Sequence, residues 1–508
     1  MPGERMPSAG WVRPAGSDPE RGAALRRASV ASLVREHAWA LTVWAAILAW
    51  AITLFAVVRD RYLDFRLARY DLGNMVQAVW STSQGRPLEW TNGATGEQMS
   101  RLGSHVDPVL AALAPLWILA PTPLTLIAFQ ILAVALGALP VFWLARRHLD
   151  SERAGVLLAL AYLAYPWIGW AAVDVFHPVT LAIPLFLFST WFLDTGRLLA
   201  FAPFAALAVL TGELMGLPLA ALGIWHAVAR GKRRAGFTIA ALGAGWTLIA
   251  VQIVVPAFSG AASVYYGAFG EVGGSPWGLI ETAFADPGTI LSAISRGNDL
   301  LYVLALAAPL GAAFLLAPGL AAVALPLLMV NLLTGLSATT SPHLHYVSGI
   351  VPFLLAAVAI GLGRLSKAVR IRAAFLVLTL SLVGALAAGP WPGPIGGAPA
   401  WYWGADVSPE RVQTLRRAIA LLPDGVPVSA TNRVGSHVAA RRYFYSVPVV
   451  GRAEWIVLDS SDSWIPRHIG GFEDPLTLRA FHKRIEQSAE WQKVFKQGGV
   501  YVFRKVRT

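Results

Sequence analysis

Apolar positions run along the chain in long blocks. Residues 38–57 are uninterrupted apolar sequence, about 20 residues, enough for a helix to cross about 30 Å of hydrocarbon. Further blocks centre on 123–144, 154–172, 178–193, 198–210, 214–229, 237–256, 300–317, 320–336, 346–362 and 373–388. Together they predict a mainly α, polytopic membrane protein of about eleven spans over 38–388, with a long first outer loop at 58–122. Residues 108–120 are apolar but too short to cross, and are expected to form an interfacial or re-entrant helix. Residues 1–37 are rich in Gly, Pro, Ser and Arg without apolar periodicity and are expected to be a disordered cytoplasmic tail. The block that follows is too far from the N-terminus for a cleaved signal and reads as a signal anchor.

The pattern changes at Gly389. A linker punctuated by Trp391, Pro392 and Pro394 leads into 389–508, which carries 16 basic and 10 acidic residues. This stretch is expected to be a soluble α/β domain. Short β-like runs lie at 426–430, 442–447, 455–458 and 500–504, and helical patterns at 409–422 and 476–495.

Composition sharpens the reading. Of 508 residues, 56% are hydrophobic and 14% charged, with mean hydropathy +0.55; soluble proteins carry about 25% charged residues. A soluble enzyme, a disordered scaffold and a nucleic-acid-binding domain are therefore poor fits. The net charge of +12 bears on orientation and lipid contact before nucleic acid. With the N-terminus inside, the cytoplasmic segments hold 18 Lys or Arg against 7 in the outer loops, as the positive-inside rule requires. An odd number of spans then puts the C-terminal domain outside the cytoplasm of a plasma-membrane protein. With no cysteine, thiolate chemistry, disulfides and thiolate metal sites are excluded.

Ionisable groups at span ends are costly, and they gather on the outer side: Asp71, His105 and Asp107, Asp174 and His177, Glu213, His343 and His345. Four acids and four histidines from five segments could converge in one cavity. Each also has a plainer reading. Asp71 could cap a surface helix, since Leu72, Met75, Val76 and Val79 follow at helical spacing. Asp107 before Pro108 is a common turn starter, Asp174 and His177 could sit in a solvated hairpin, and His343 and His345 could be interfacial or phosphate contacts. Glu213 has almost no loop to solvate it, so it needs a partner. Arg66, Arg69 and Arg101 bring cations into the first outer loop and could hold a phosphate, or simply be tolerated there. Trp80, Trp90, Trp167, Trp170 and Trp401 fit interfacial belts, with sugar stacking as the alternative.

Tyr70-Asp71-Leu72-Gly73, then Gln77 and Trp80, Gly85-Arg86-Pro87, Gly103-Ser104-His105 with Asp107-Pro108, and Asp174 with His177-Pro178 carry a resemblance. They resemble the prokaryotic multi-pass family called domain of unknown function two thousand and seventy-nine. Glu213 falls at an acidic position of that family, and Ser429-Ala430-Thr431 through His437 and Arg441-Arg442 resemble its C-terminal part. The family is in turn similar to the GT-C fold of lipid-linked-sugar glycosyltransferases.

The resemblance implies transfer of a sugar from a polyprenyl-phosphate donor to an acceptor hydroxyl on a glycan, lipid or protein, at the outer membrane surface. It makes Asp71 the base. His105, His343, His345 or a first-loop arginine such as Arg66 or Arg69 would stabilise the departing phosphate, and Asp174 and His177 would contact substrate. Asp107 and Glu213 would orient the acceptor or hold a divalent cation through oxygen ligands. No second acid stands directly beside Asp71, the nearest being Asp64 and Asp107, which leaves metal dependence open. The alternatives are a transporter or flippase of a lipid-linked or polar substrate and a non-catalytic assembly protein. Charges concentrated at one face favour surface chemistry over passage.

Overall fold

The structure is a computed structural model that describes residues 37–390, 407–466 and 471–506. The expected tail 1–37, up to residue 36, the linker residues Trp391, Pro392 and Pro394, and Trp401 lie outside the described residues. The rest is mainly helical, with a small sheet region near the C-terminus.

The helix Ala38–Leu63 shows how sequence becomes span. Val43, Ile47, Trp50, Leu54 and Val58 recur every three or four positions and are buried against the protein. Leu41, Trp44, Leu48 and Ile52 on the other side are exposed apolar residues, the face that lipid would cover. Trp50 satisfies its indole by donating Nε1–H to the Leu163 carbonyl at 2.8 Å.

Among the described residues, Ala38–Leu63, Pro123–Leu149, Arg233–Ser259 and Lys367–Ala388 are each long and apolar enough to cross a membrane. Two bent pairs add two more: Glu152–Ala164 with Pro166–Val173 at 52°, and Pro287–Ile294 with Asn298–Leu310 at 59°. Five other blocks expected to span form apolar helices of 10–17 residues, several opening in tight 3₁₀ turns such as Pro178–Leu181 and Glu213–Met215. The block at 300–317 is not one continuous helix. It breaks at Gly311 and Ala312, both at positive φ. Residues 108–120 form a 3₁₀ turn, Pro108–Leu113, running into the short helix Ala114–Leu119.

Small residues let one pair of helices approach closely. A Cβ on Gly216 would lie 2.1 Å from the Gly243 carbonyl oxygen, and one on Gly223 would lie 2.5 Å from the Ala240 nitrogen. The helices Gly216–Ala229 and Arg233–Ile249 therefore meet backbone to backbone. Asp194 gathers Arg147 at 3.2 Å, His148 at 3.0 Å and Arg230.

The sheet elements are β1 (Glu89–Thr91) and β2 (Gln98–Ser100), an antiparallel pair in the first long loop, and seven strands near the C-terminus. β3 (Val428–Ala430), β4 (Phe444–Ser446), β5 (Trp455–Asp459), β8 (Trp491–Gln497) and β9 (Val500–Lys505) make one sheet in the order β4-β3-β5-β9-β8. β3 runs parallel to β4 and β5, and β9 antiparallel to β5 and β8. β6 (Trp464–Pro466) and β7 (Gly471–Glu473) pair separately. The helical pattern expected over 476–495 ends early. Pro475–Gln487 is helix, and Trp491 opens the edge strand β8. The helix Asn432–Val438, between β3 and β4, packs on the segment 69–73 that leads out of the first membrane helix.

Candidate active site

Asp71 lies in a short irregular turn, Arg69–Gly73, just before the helix Asn74–Ser83. It does not cap that helix with its side chain, and the helix is buried rather than superficial. Its backbone, φ 71° and ψ −78°, is the positive-φ γ-turn conformation, rare and strained for a residue with a Cβ. Such a conformation costs about 1–3 kcal/mol and survives only where the surroundings over-determine it. The Asp71 side chain keeps 36% of its surface exposed, so a substrate can reach the carboxylate.

Around it the structure brings together three more of the expected residues. His177 Nε2 is 3.6 Å from Asp71 Oδ2. His177 Nδ1 faces the Val175 carbonyl at 2.7 Å, which favours a proton on Nδ1 and leaves Nε2 turned to Asp71. His345 stacks on His177 with ring centroids 3.7 Å apart, and its Nδ1 meets Asp174 Oδ2 at 3.3 Å. Asp174 Oδ2 is also 3.7 Å from His177 Nδ1.

The charges follow from this packing. Burial works against the Asp71 carboxylate, but His177, then His345 and Arg101, outweigh it and hold the carboxyl below the usual range. For His177, burial disfavours the charged ring, while Asp71 and then Asp174 outweigh that and hold the imidazole above the ordinary histidine range. His345 is held below that range by burial and by the neighbouring His177. The arrangement favours the charged forms of Asp71 and His177 and disfavours that of His345 behind them.

Two amides within apolar blocks aim these groups, and sequence reasoning missed both. Gln130 accepts from the His177 backbone N–H at 2.8 Å and the Thr180 hydroxyl at 2.9 Å, and donates to the Asp174 carbonyl at 3.0 Å. Asn331 donates to the Tyr302 hydroxyl at 3.0 Å and to the Tyr346 carbonyl, next to His345, at 3.2 Å. A lone amide in an apolar block is the signal that marks them, because it must find partners when buried.

The other expected residues do different work. Arg101 and Asp107 form a buried pair, with Nε to Oδ2 and Nη2 to Oδ2 both 2.8 Å. His105 Nδ1 meets Glu213 Oε1 at 3.2 Å, and the Val106 N–H donates to Glu213 Oε2 at 3.0 Å, the partner that Glu213 requires. His343 lies edge-on to Trp167 and Trp170, whose indoles donate to the Ala305 and Ala388 carbonyls and so serve the core. Arg69 is buried and donates to the Thr91 and Phe444 carbonyls at 2.8 and 3.1 Å, which makes it a staple between the first loop and β4. Arg66 lies 3.9 Å from Asp64.

The model of the family described as "Predicted membrane protein (DUF2079)" matches residues 61–501. The chain belongs to this family. Two solved structures are similar over most of both chains. One is ArnT from Cupriavidus metallidurans bound to undecaprenyl phosphate, 13% identical, covering 92% of this chain and 98% of that one with a TM-score of 0.48. The other is ArnT from the same organism in the apo state, 14% identical with the same coverage and TM-score. No curated protein matches.

In this DUF2079 chain the described residues that could hold a metal ion are Asp174, His177 and His345, whose ligand atoms lie within 4.8 Å of one another. Two imidazoles and a carboxylate suit a borderline-soft divalent cation such as zinc better than magnesium. Asp107 and Glu213, named above as possible cation ligands, are not part of this group. Those carboxylates are engaged by Arg101 and by His105 with Val106.

Proposed function

We propose that the chain is a membrane glycosyltransferase that moves a sugar from a polyprenyl-phosphate donor to an acceptor hydroxyl at the extracytoplasmic face, with Asp71 as the base. The observation that carries this reading is the reachable Asp71 carboxylate in a strained turn, 3.6 Å from the imidazole of His177. Asp71 takes the acceptor hydroxyl proton as its oxygen bonds to the sugar's anomeric carbon. The bond from that carbon to the phosphate oxygen breaks, and the polyprenyl phosphate leaves with the electron pair. In this reading a protonated His177 offsets the negative charge that gathers beside Asp71 as the phosphate leaves. A cation on Asp174, His177 and His345 would supply that positive charge in its place.

The ionisable residues collected at one end of the helices support chemistry at a membrane surface. The rival reading, a transporter or flippase, draws on the two bent helix pairs. The experiment that separates them supplies purified protein with a panel of polyprenyl-phosphate sugars and acceptors and follows free polyprenyl phosphate by mass spectrometry. Release dependent on the acceptor supports transfer. Lipid movement between leaflets without release supports transport.

A further inference from the structure

We propose that the C-terminal sheet region is the element that positions Asp71, and that Asn432 is its main positioning residue. The functional half of this inference rests on Asp71 being the base; the structural half does not. A γ-turn of positive φ in a residue with a Cβ does not persist by its own local bonding, and the flanking helix gives it no side-chain cap. Besides the Arg69 bond to the Thr91 carbonyl and His177 against the Asp71 carboxylate, the contacts on the backbone of the turn come from more than 350 residues further along the chain.

The contacts are specific. The N–H of Tyr70, the residue before Asp71, donates to Asn432 Oδ1 at 3.0 Å. The helix Asn432–Val438 then lies so close that a Cβ on Gly435 would be 2.1 Å from Arg69 Cβ and 3.0 Å from Arg69 Cα. The Ser436 hydroxyl donates to the Leu67 carbonyl at 2.6 Å. His437 is stacked between Tyr62 and Phe65, with centroids 4.2 and 4.0 Å away. The Arg69 guanidinium, buried, reaches the Phe444 carbonyl at the start of β4. Trp464 of β6 packs on the Tyr70 ring at 4.9 Å.

The segment from Tyr62 to Gly73 is thus fixed from outside, by hydrogen bonds before and beside Asp71 and by backbone contact under Arg69. The C-terminal region touches neither His177 nor His345 in any of these contacts. Its action is on the backbone of the acid, and through it on the aim of the carboxylate.

The test uses the full chain in detergent with Asn432→Ala, which removes the acceptor, and Asn432→Asp, which keeps an acceptor oxygen in place. Amide hydrogen exchange over peptides covering residues 66–74 should run roughly five- to tenfold faster in the alanine variant, the loss expected for one hydrogen bond. Exchange should return toward wild type in the aspartate variant. Turnover of a polyprenyl-phosphate sugar should show kcat reduced about tenfold or more with donor KM within twofold, again recovered by aspartate. A purely structural role would not split kcat from KM in this way. Should Asn432→Ala fail to fold, Ser436→Ala, which removes the bond to Leu67, is read by the same exchange measurement. Unchanged exchange over 66–74 in the variant that folds overturns the inference. If the wild type turns over no donor, the reading of Asp71 falls while the exchange result still decides the structural half.

Discussion

Gly435→Ala is the smallest change that moves the candidate base without touching it. An added Cβ would stand 2.1 Å from Arg69 Cβ, whereas ordinary contact begins at 3.4 Å, so the helix and the turn must part by about 1 Å or more. The neighbouring atoms are Arg69 Cβ and Cα, close to the backbone, so no flexible side-chain end can swing away. Alanine in a helix is worth about 1 kcal/mol over glycine. Overpacking of this kind costs about 1–3 kcal/mol. The contact should win, leaving the protein no more stable and with a lower thermal midpoint. The effect on rate should be larger, because a shift of about 1 Å in a reacting group costs on the order of 100-fold. The assay pairs thermal unfolding in detergent with initial rates of polyprenyl phosphate release. Gly245→Ala, inside the helix Arg233–Ile249 where an added Cβ meets nothing, serves as the control: helix propensity alone should raise its midpoint slightly while its rate stays at wild type. Wild-type turnover with a raised midpoint in Gly435→Ala would refute the reasoning, since helix propensity would then have decided the outcome.

Other consequences can be measured on the same preparation. The Asp462 carboxyl is pushed up to about 7 by burial against an ordinary 3.8, despite the Arg433 N–H that it accepts. A group held this way contributes stability that is full below about pH 4 and is lost as pH rises through 7. Asp462→Asn should therefore flatten the fall in thermal midpoint between pH 5 and 8, a change worth at most about 3 kcal/mol in that window; an unchanged pH profile counts against it. Asp107→Asn strips the buried Arg101 of its carboxylate and should destabilise by about 3–5 kcal/mol, read as loss of folded protein on heating. A midpoint close to wild type would mean that Arg101 is satisfied without it. Zinc binding by titration calorimetry should be lost in His345→Ala if the ion sits on Asp174, His177 and His345, whereas equal binding by both proteins puts it elsewhere.

How much of this was legible in the sequence depends on range. Runs of apolar residues report burial in lipid directly, so the membrane character and most helix positions could be read from the chain. The break at Gly311 and Ala312 could not, because hydropathy does not register backbone direction. Asp71, Asp174, His177 and His345 stood out as costly polar residues at span ends, and they meet. Asp107, Glu213 and Arg69 stood out for the same reason and are engaged with partners of their own. A cost of burial signals that a partner exists, without naming it. Gln130 and Asn331 were passed over because neutral amides do not end an apolar run, although a lone amide inside one marks a buried group that needs partners. The clamp of Asn432 and Gly435 on the turn was invisible because it joins positions more than 350 residues apart, and β8 was read as helix because its edge face is mostly polar and exposed.

The most direct test of the account is the rate at which purified protein releases polyprenyl phosphate from a polyprenyl-phosphate sugar, compared with an Asp71→Asn variant of equal thermal midpoint. The account predicts release by the wild type and a loss of about 100-fold or more in the variant, which keeps the shape of the side chain but cannot take the proton. Equal release by the two proteins, or binding and movement of lipid without release in either, would contradict it.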